Sequence, residues 1–235
     1  KDAASNQIVL PVSVMVFDIN EPPALESVEF AIRENAVEGS LVGTLVAEDS
    51  DKNDYHEFQI VSIDAIEKSD WPFYLNPINT SNSRHGGSEL LVSAHGATKL
   101  NYELLPNRYN VSIAVYDKGN LSDVSVVYVV VEDVNEPPLP QANITFWSKE
   151  SVNDGAYVGH PVSAGDPDDS DSHSYAVVAW QSVSNHAQDI KNVSWAPPFN
   201  FIRETGQLIV SRQALLSTTY ADKHFMLTIQ ITDAR

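Results

Sequence analysis

A short tract rich in oxygen ligands, Asp-x-Asn-Glu-Pro-Pro, occurs twice in this sequence of 235 residues. The two copies are Asp18–Pro23 and Asp133–Pro138. Each copy follows an apolar run and is trailed at a matching distance by further acidic residues. Carboxylate, amide and carbonyl oxygens are ligands of hard cations, and Ca²⁺ accepts about six to eight of them in irregular arrangements. The tract therefore predicts cation sites, with calcium as the leading candidate.

Other acidic markers recur with nearly the same period as the tract. The spacing is 115 residues for the tract, 116 for Glu34 and for Asp117, and 117 for the pair Asp49-x-Asp51. Their second copies are Glu150, Asp233, Asp166 and Asp168. A period of this length matches a whole small domain rather than a solenoid repeat. We therefore predict the final strand and linker of a preceding domain (1–23), a complete domain (24–138) and a domain lacking its final strand (139–235).

Composition excludes several classes of protein. Cysteine is absent, so disulfides and thiol chemistry are excluded. A formal net charge of −18 argues against nucleic acid as a partner, because nucleic-acid binding needs basic surfaces. The sequence contains neither a long apolar segment nor a signal-peptide pattern, so we expect membrane attachment only through parts outside this segment. These features favour an extracellular or cell-surface protein.

Apolar alternation predicts β-strands throughout. Period-two patterns occur at residues 12–16, 111–115 and 225–231, and the run 126–131 is apolar on both faces. Alternation with β-branched enrichment is typical of strands with one buried face, and no segment keeps a helical period. Many short strands separated by Gly, Asn, Asp and Pro predict an all-β chain of sandwiches with Greek-key connections, similar to immunoglobulin domains.

Five motifs in order carry a resemblance to a known family. They are Arg33-Glu34-Asn35, residues 43–51 ending in Asp49-Ser50-Asp51, Leu100-Asn101-Tyr102-Glu103, residues 115–122 around Asp117, and Asp133-Val134-Asn135-Glu136-Pro137. In this order, with a second partial copy in phase, they resemble a cadherin repeat. The Glu-Pro-Pro endings and short histidine patches resemble the cadherin-type repeats of bacteria and protists. The resemblance implies tandem seven-stranded sandwiches joined end to end, with about three Ca²⁺ ions at each complete junction.

The resemblance also implies a ligand set for the complete junction. The residues are Glu34, Glu103, Asp133, the Val134 carbonyl, Asn135, Glu136, the Pro137 carbonyl, Asp166, Asp168 and Asp233. Two positions depart from the family pattern, because Asn101 and Glu136 stand where aspartate is usual. Seven of the ligands are carboxylates, so three divalent cations would bring a charge of +6 against −7. We expect calcium to convert flexible domains into a stiff rod.

The other two junctions look incomplete in this sequence. The first junction has Asp18, Asn20, Glu21, Asp49, Asp51 and Asp117. Its two base glutamates would come from a preceding domain, so we expect a weaker site there. Beyond the last domain, Leu215–Thr219 stands where the acidic base motif belongs, so a further site should be degenerate.

Residues 7–17 resemble the final strand of a domain that the sequence otherwise lacks, whereas the last domain stops before the same strand. One interpretation is a segment cut from a longer array. The other is that residues 7–17 of one copy complete the sandwich of the next copy, which would produce a head-to-tail filament. The predicted partners are therefore other copies of this chain or other cadherin-like repeats.

Five sequons and two histidines are further signals in the sequence. The five sequons are at Asn79, Asn110, Asn120, Asn143 and Asn192. They fit the surface loops of a secreted glycoprotein. His56 and His173 each lie five residues after the second aspartate of their pair, and this repetition favours a structural role over zinc binding.

Two other functions were compared with a structural or adhesive role. One alternative is a carbohydrate-binding sandwich module of a secreted or cell-wall protein, with glycans as ligands of aromatic platforms. A glycoside hydrolase fragment could use a pair such as Asp49 and Asp51 for acid–base chemistry. The recurrence of these aspartates at domain junctions favours cation binding, and we therefore predict no enzymatic activity.

Overall fold

The computed structural model describes residues 10–51, 55–78, 87–140, 143–168, 172–183, 197–212, 216 and 224–233. Within these ranges the regular secondary structure is almost all strand, and the helical segments are two single 3-10 turns, Lys68–Asp70 and Gly96–Thr98. None of the helical segments described is long and apolar enough to cross a membrane. The chain divides into two units, Lys1–Asp133 and Val134–Arg235. The tract residues 134–138 thus group with the second unit.

The first unit is a sandwich of two sheets. Its strands are β1 (Glu29–Arg33), β2 (Leu41–Val46), β3 (Glu57–Ile63), β4 (Phe73–Ile78), β5 (Gly87–Val92), β6 (Arg108–Tyr116) and β7 (Ser122–Glu132). The strand orders are β1-β7-β6-β3 and β2-β5-β4. Neighbours are antiparallel, except that β1 runs parallel to β7. The predicted all-β class and seven-stranded sandwich are therefore confirmed for this unit.

Alternation along β7 shows why the sequence folds this way. Val127 and Val129 are fully buried, whereas Val124 remains 58% exposed on the opposite face. Burying one face of a strand fixes its register, because a slip of one residue would turn every apolar side chain toward solvent. Across the core, the rings of Phe73 and Tyr109 meet edge to face with centroids 5.4 Å apart. The two sheets thus share one apolar interior.

Strand pairing in this sandwich also sets which acidic residues become neighbours. In the parallel pair β1 and β7, Arg33 lies opposite Glu132 at the last matched position. The residues that follow, Glu34 and Asp133, therefore leave the sheet side by side. The amide of Glu34 continues the ladder by donating to the carbonyl of Glu132 at 2.9 Å. Two of the predicted ligands are thus brought together by the strand pairing of β1 with β7.

The second unit is also built from strands, two of which are long and five of which have only two to four described residues. They are β8 (Leu139–Pro140), β9 (Tyr157–Val158), β10 (Ala164–Gly165), β11 (His173–Val183), β12 (Phe199–Ile202), β13 (Gln207–Val210) and β14 (His224–Asp233). The sheets are β10-β8, β11-β14 and β12-β13-β9. Val158, Tyr175, Phe199 and Val210 are among the residues of its separate core. The pairing of β11 with β14 sets His173 opposite Asp233.

The prediction of a strand near the start of the chain is wrong for residues 10–17. The alternation of Val12, Val14 and Val16 predicts a strand, but the described residues 10–17 form none. These three valines are 80% to 90% exposed. A strand needs a neighbour to receive its backbone hydrogen bonds, and alternation only shows which face such a neighbour would cover. The pattern therefore indicated a capacity to form a strand.

Replacing Leu90 tests the assignment of the core. Leu90 on β5 is fully buried, whereas Leu104 is 64% exposed in a turn of the same unit. We expect Leu90→Ala to lower the free energy of unfolding of the first unit by about 2–5 kcal/mol, because it leaves a cavity. The control Leu104→Ala should change it by less than about 0.5 kcal/mol. Urea unfolding measures both, and equal losses would contradict the assignment.

Candidate metal centres

Three carboxylates form a cluster at one end of the first sandwich. One oxygen each from Glu34, Glu103 and Asp133 lies within 4.8 Å of the others. Glu34 is only 2% exposed, and its Oε2 accepts the amide N–H of Tyr102 at 2.8 Å. Side chains that share one Ca²⁺ at about 2.3–2.6 Å can have their oxygens no more than about 5 Å apart. The spacing of this base cluster (Glu34, Glu103, Asp133) fits a shared calcium ion.

Asn101 has a local structural role in the loop beside the base cluster. Its Oδ1 accepts the amide N–H of Leu104, three residues further on, at 2.8 Å and so closes a local turn. An aspartate could accept the same hydrogen bond, so the amide removes one negative charge from the loop without disturbing the turn. The sequence reveals the lost charge but not the turn, because the turn depends on backbone geometry.

A second network lies at the opposite end of the first sandwich. Asp117, which follows β6, is 5% exposed and accepts the Leu121 amide N–H at 2.7 Å and the Asn20 Nδ2–H at 2.6 Å. The Asp51 carboxylate accepts the Glu21 amide N–H at 2.8 Å. The acidic side chains therefore hold both ends of the Asn20-Glu21 segment.

The second unit builds the same network from the repeat-equivalent residues. Asn135 Nδ2 donates to Asp233 Oδ2 at 2.9 Å, and the Glu136 amide donates to Asp168 Oδ2 at 2.8 Å. Asp168 is 4% exposed. Because these hydrogen bonds attach residues 135 and 136 to the second unit, the tract groups with that unit. We call this network a linker clamp. Its residues are Asn20, Glu21, Asp49, Asp51 and Asp117 in the first unit, and Asn135, Glu136, Asp166, Asp168 and Asp233 in the second.

The Asp-x-Asp pairs are tight turns closed by their own side chains. Asp49 Oδ1 accepts the Asp51 amide N–H at 2.8 Å, and Asp166 Oδ1 accepts the Asp168 amide N–H at 3.1 Å. In each turn the second oxygen of the first aspartate contacts a histidine, at 2.9 Å for His56 and 2.6 Å for His173. The motifs predicted a structural role for the two histidines, but not these contacts. The only signal was the equal spacing of the two histidines from their aspartates.

The remaining predicted ligands lie in or near the extended tracts. Asp18 is exposed, whereas Val134 is half-buried and Pro137 is exposed in the irregular segment 133–138. Glu150 is exposed, unlike its repeat equivalent Glu34. The predicted metal-ligand atoms in both units are oxygens, which suit Ca²⁺ better than a soft metal. The ligand set as a whole remains a prediction.

The described sequons fall on exposed residues. Asn110, Asn120 and Asn143 are exposed, and Asn120 has a positive φ of 65° in the turn after Asp117. The side chain of Asn110 donates to Asp64 at 2.8 Å. Asn79 and Asn192, like Leu215 and residues 217–219, lie outside the described residues. Glycosylation at the five sequons stays a prediction.

Comparison with solved structures identifies the fold. The human protocadherin-24 EC1-2 structure matches with a TM-score of 0.57 and 19% identity, covering 91% of this chain and 94% of that chain. The fold is the cadherin-type repeat. The mouse clustered PcdhgC3 EC1-3 structure matches with a TM-score of 0.55 and 19% identity, covering 83% of this chain and 58% of that chain. At sequence identities this low, the two structural matches establish a shared fold and nothing more.

Sequence comparison agrees over part of the chain. Cadherin-related family member 3 of Homo sapiens is 34% identical over 87 residues, which is 35% of this chain and 10% of that protein. The chain thus spans a tenth of the length of this curated relative. No family model matches the chain. The predicted nearness to bacterial and protist cadherin repeats stays a prediction.

Proposed function

We propose that this chain is an extracellular, calcium-binding structural or adhesive segment whose cadherin-type repeats are stiffened where they join. The observation that carries the proposal is the linker clamp, which both units build from equivalent residues. In the second unit it orients Asp168 and Asp233 around the tract residues Asn135 and Glu136. A repeated arrangement of buried and half-buried carboxylates around a backbone segment suits cation binding better than a solvated acidic surface.

Charge explains why a cation would be needed. Like charges in a partly buried cluster repel strongly, since the effective dielectric constant there is lower than in water. The base cluster gathers three carboxylates within 4.8 Å. About three Ca²⁺ ions would neutralise the junction residues Glu34, Glu103, Asp133, Glu136, Asp166, Asp168 and Asp233, with Asn135 and the carbonyls of Val134 and Pro137 as further ligands. Mg²⁺ suits the set less well, because it requires tighter octahedral geometry and keeps its waters.

The role inferred from this arrangement is mechanical, with no enzymatic step. A segment that is rigid in calcium can hold an adhesive surface at a fixed distance, and the expected partners are other copies of this chain or other cadherin-like repeats. The protocadherin gammaB7 EC3-6 cis-dimer structure shares the fold, with a TM-score of 0.57 and 17% identity, covering 91% of this chain and 48% of that chain. Carbohydrate binding, the alternative function, is not favoured by these neighbours.

Glu103→Gln tests calcium binding, because its effect on stability should have opposite signs in calcium and in EDTA. Calcium at about 100 times its Kd should stabilise the wild-type protein by about 2.7 kcal/mol. We expect Glu103→Gln to reduce this gain, because a neutral amide is a poorer ligand than a carboxylate. In EDTA the same variant should be more stable than the wild type, because one repulsive charge has left the base cluster. Thermal melts and calorimetric titration measure both effects.

The matched control for this experiment is Glu67→Gln. Glu67 is an exposed glutamate of the same unit, and its side chain accepts no capping hydrogen bond from the 3-10 turn that it precedes. This control should keep the wild-type gain in calcium and the wild-type stability in EDTA. A wild-type melting temperature that is equal in calcium and in EDTA would refute the proposal.

Chelation should change the dimensions of the molecule in solution. We expect small-angle scattering to give a longer maximum dimension and a narrower distribution of lengths in millimolar calcium than in EDTA. The physical reason is that bridging ions restrict the hinge at residues 133–138, where proline already limits backbone freedom. Identical scattering curves in the two buffers, at a concentration where calorimetry shows binding, would rule out the stiffening role.

Self-association is a second candidate function, favoured by a correspondence between two segments. With the tract spacing of 115 residues, Val12, Val14 and Val16 correspond to Val127, Val129 and Val131, which are at most 1% exposed on β7. In the first unit β7 pairs with β6, whereas in the second unit β14 pairs only with β11 among the described strands. Residues 10–17 of one copy have the pattern needed to pair with β14 of another copy.

Val14→Lys tests this head-to-tail association. We expect the wild-type chain to form concentration-dependent oligomers in sedimentation experiments, because β14 and residues 10–17 would each gain a pairing partner. Val14→Lys should remain monomeric, since it would place a charge in the core of the acceptor. The control Ser13→Lys, on the opposite face of the segment, should still associate. A wild-type protein that stays monodisperse and monomeric up to high concentration would refute this function.

A further inference from the structure

Each repeat places a histidine against the first aspartate of its Asp-x-Asp turn. His56 Nε2 lies 2.9 Å from Asp49 Oδ2, and both side chains are completely buried. His173 Nε2 lies 2.6 Å from Asp166 Oδ2, with side chains 12% and 6% exposed. The same atom pair is used in both repeats. A contact reproduced atom for atom in two separate cores indicates a shared role.

The donor in this contact follows from the chemistry of the two groups. An ionised carboxylate can only accept hydrogen bonds, so Nε2 must carry a proton and donate to the aspartate. In the same carboxylate, Oδ1 accepts the amide N–H of the second aspartate. A carboxylate offers about four lone-pair sites, so two donors orient it while its oxygens keep the capacity to ligate a cation.

Orientation of the first aspartate also controls the rest of the linker clamp. The turn closed by Asp166 determines where the Asp168 carboxylate points, and that carboxylate holds the Glu136 amide at 2.8 Å. The histidine itself is anchored in the sheet, because His173 begins β11 opposite Asp233 of β14. Rigid strand pairing is thus connected through one side chain to the turn that carries two predicted ligands.

We propose that His173, and His56 in the first repeat, are positioning residues that orient the Asp-x-Asp carboxylates for calcium. This inference rests on the proposed calcium-binding function and adds to it the residues that prepare the site. The histidine acts as an outer partner of a ligand, in the way that hydrogen-bonded second groups tune the affinity of other metal sites.

Direct coordination of a metal by these histidines conflicts with the distances. Two ligands of one tetrahedral zinc, at about 2.0–2.2 Å from the metal, are separated by about 3.3 Å. The separation of 2.6 Å between His173 Nε2 and Asp166 Oδ2 is that of a charge-assisted hydrogen bond. The histidine is therefore a donor to the carboxylate and does not replace it as a ligand.

The test compares His173→Gln with His173→Phe in calorimetric titrations with calcium and in melts in EDTA. Glutamine keeps an N–H donor near the position of Nε2, whereas phenylalanine keeps the ring volume without a donor. We expect His173→Phe to weaken the tightest calcium binding by about 10–100-fold, as loss of an outer partner does elsewhere. The calcium affinity of His173→Gln should stay within a few-fold of the wild-type value. We expect the two variants to lose similar stability in EDTA.

Each outcome of the test has a distinct meaning. Unchanged calcium affinity in His173→Phe, or equal losses in the two variants, would overturn the positioning role while leaving calcium binding intact. A wild-type protein that binds no calcium would instead refute the proposed function. A measurement on the wild type covers the case in which His173→Phe does not fold, because ¹⁵N NMR of the ring should show the proton on Nε2. A proton found only on Nδ1 would overturn the inference.

Discussion

Like-charge repulsion between carboxylates that the fold holds together is the constraint on which the rest of the structure depends. The parallel pairing of β1 with β7 delivers Glu34 and Asp133 to the same edge, and Glu103 completes a cluster with oxygens within 4.8 Å. The apolar core fixes the ends of β1 and β7, so the backbones of Glu34 and Asp133 cannot separate without breaking strand pairing. A compact acidic cluster of this kind gains stability from any cation that its oxygens can coordinate.

Hydrogen bonds from backbone and side-chain amides orient the carboxylates of the linker clamps. In each repeat an aspartate accepts the amide of the glutamate in the tract, and a second aspartate accepts the tract asparagine. These contacts orient the carboxylates before any ion arrives, which lowers the entropy that ion binding must remove. The histidine contact extends the same order into the sheet. Within a repeat, hydrogen bonds thus connect the tract to the Asp-x-Asp turn, and the turn to the strands of the core.

The sequence predicted the strands well where burial decides the register. The alternation in β6 and β14 was readable because one face of each strand packs inward, and the repeat spacing located the acidic residues. Residues 10–17 were different, since alternation reports a capacity to pair and not the presence of a neighbour. The histidine contacts and the turn capped by Asn101 were not predictable, because they depend on backbone conformation at single positions.

A crystal structure of the chain grown in millimolar calcium tests the central claim most directly, since anomalous scattering locates Ca²⁺ independently of the protein. The account predicts about three calcium peaks within coordinating distance, about 2.3–2.6 Å, of Glu103, Asp133 and Asp168 oxygens. A well-ordered map in which these three carboxylates point apart, with only water between them, would contradict it.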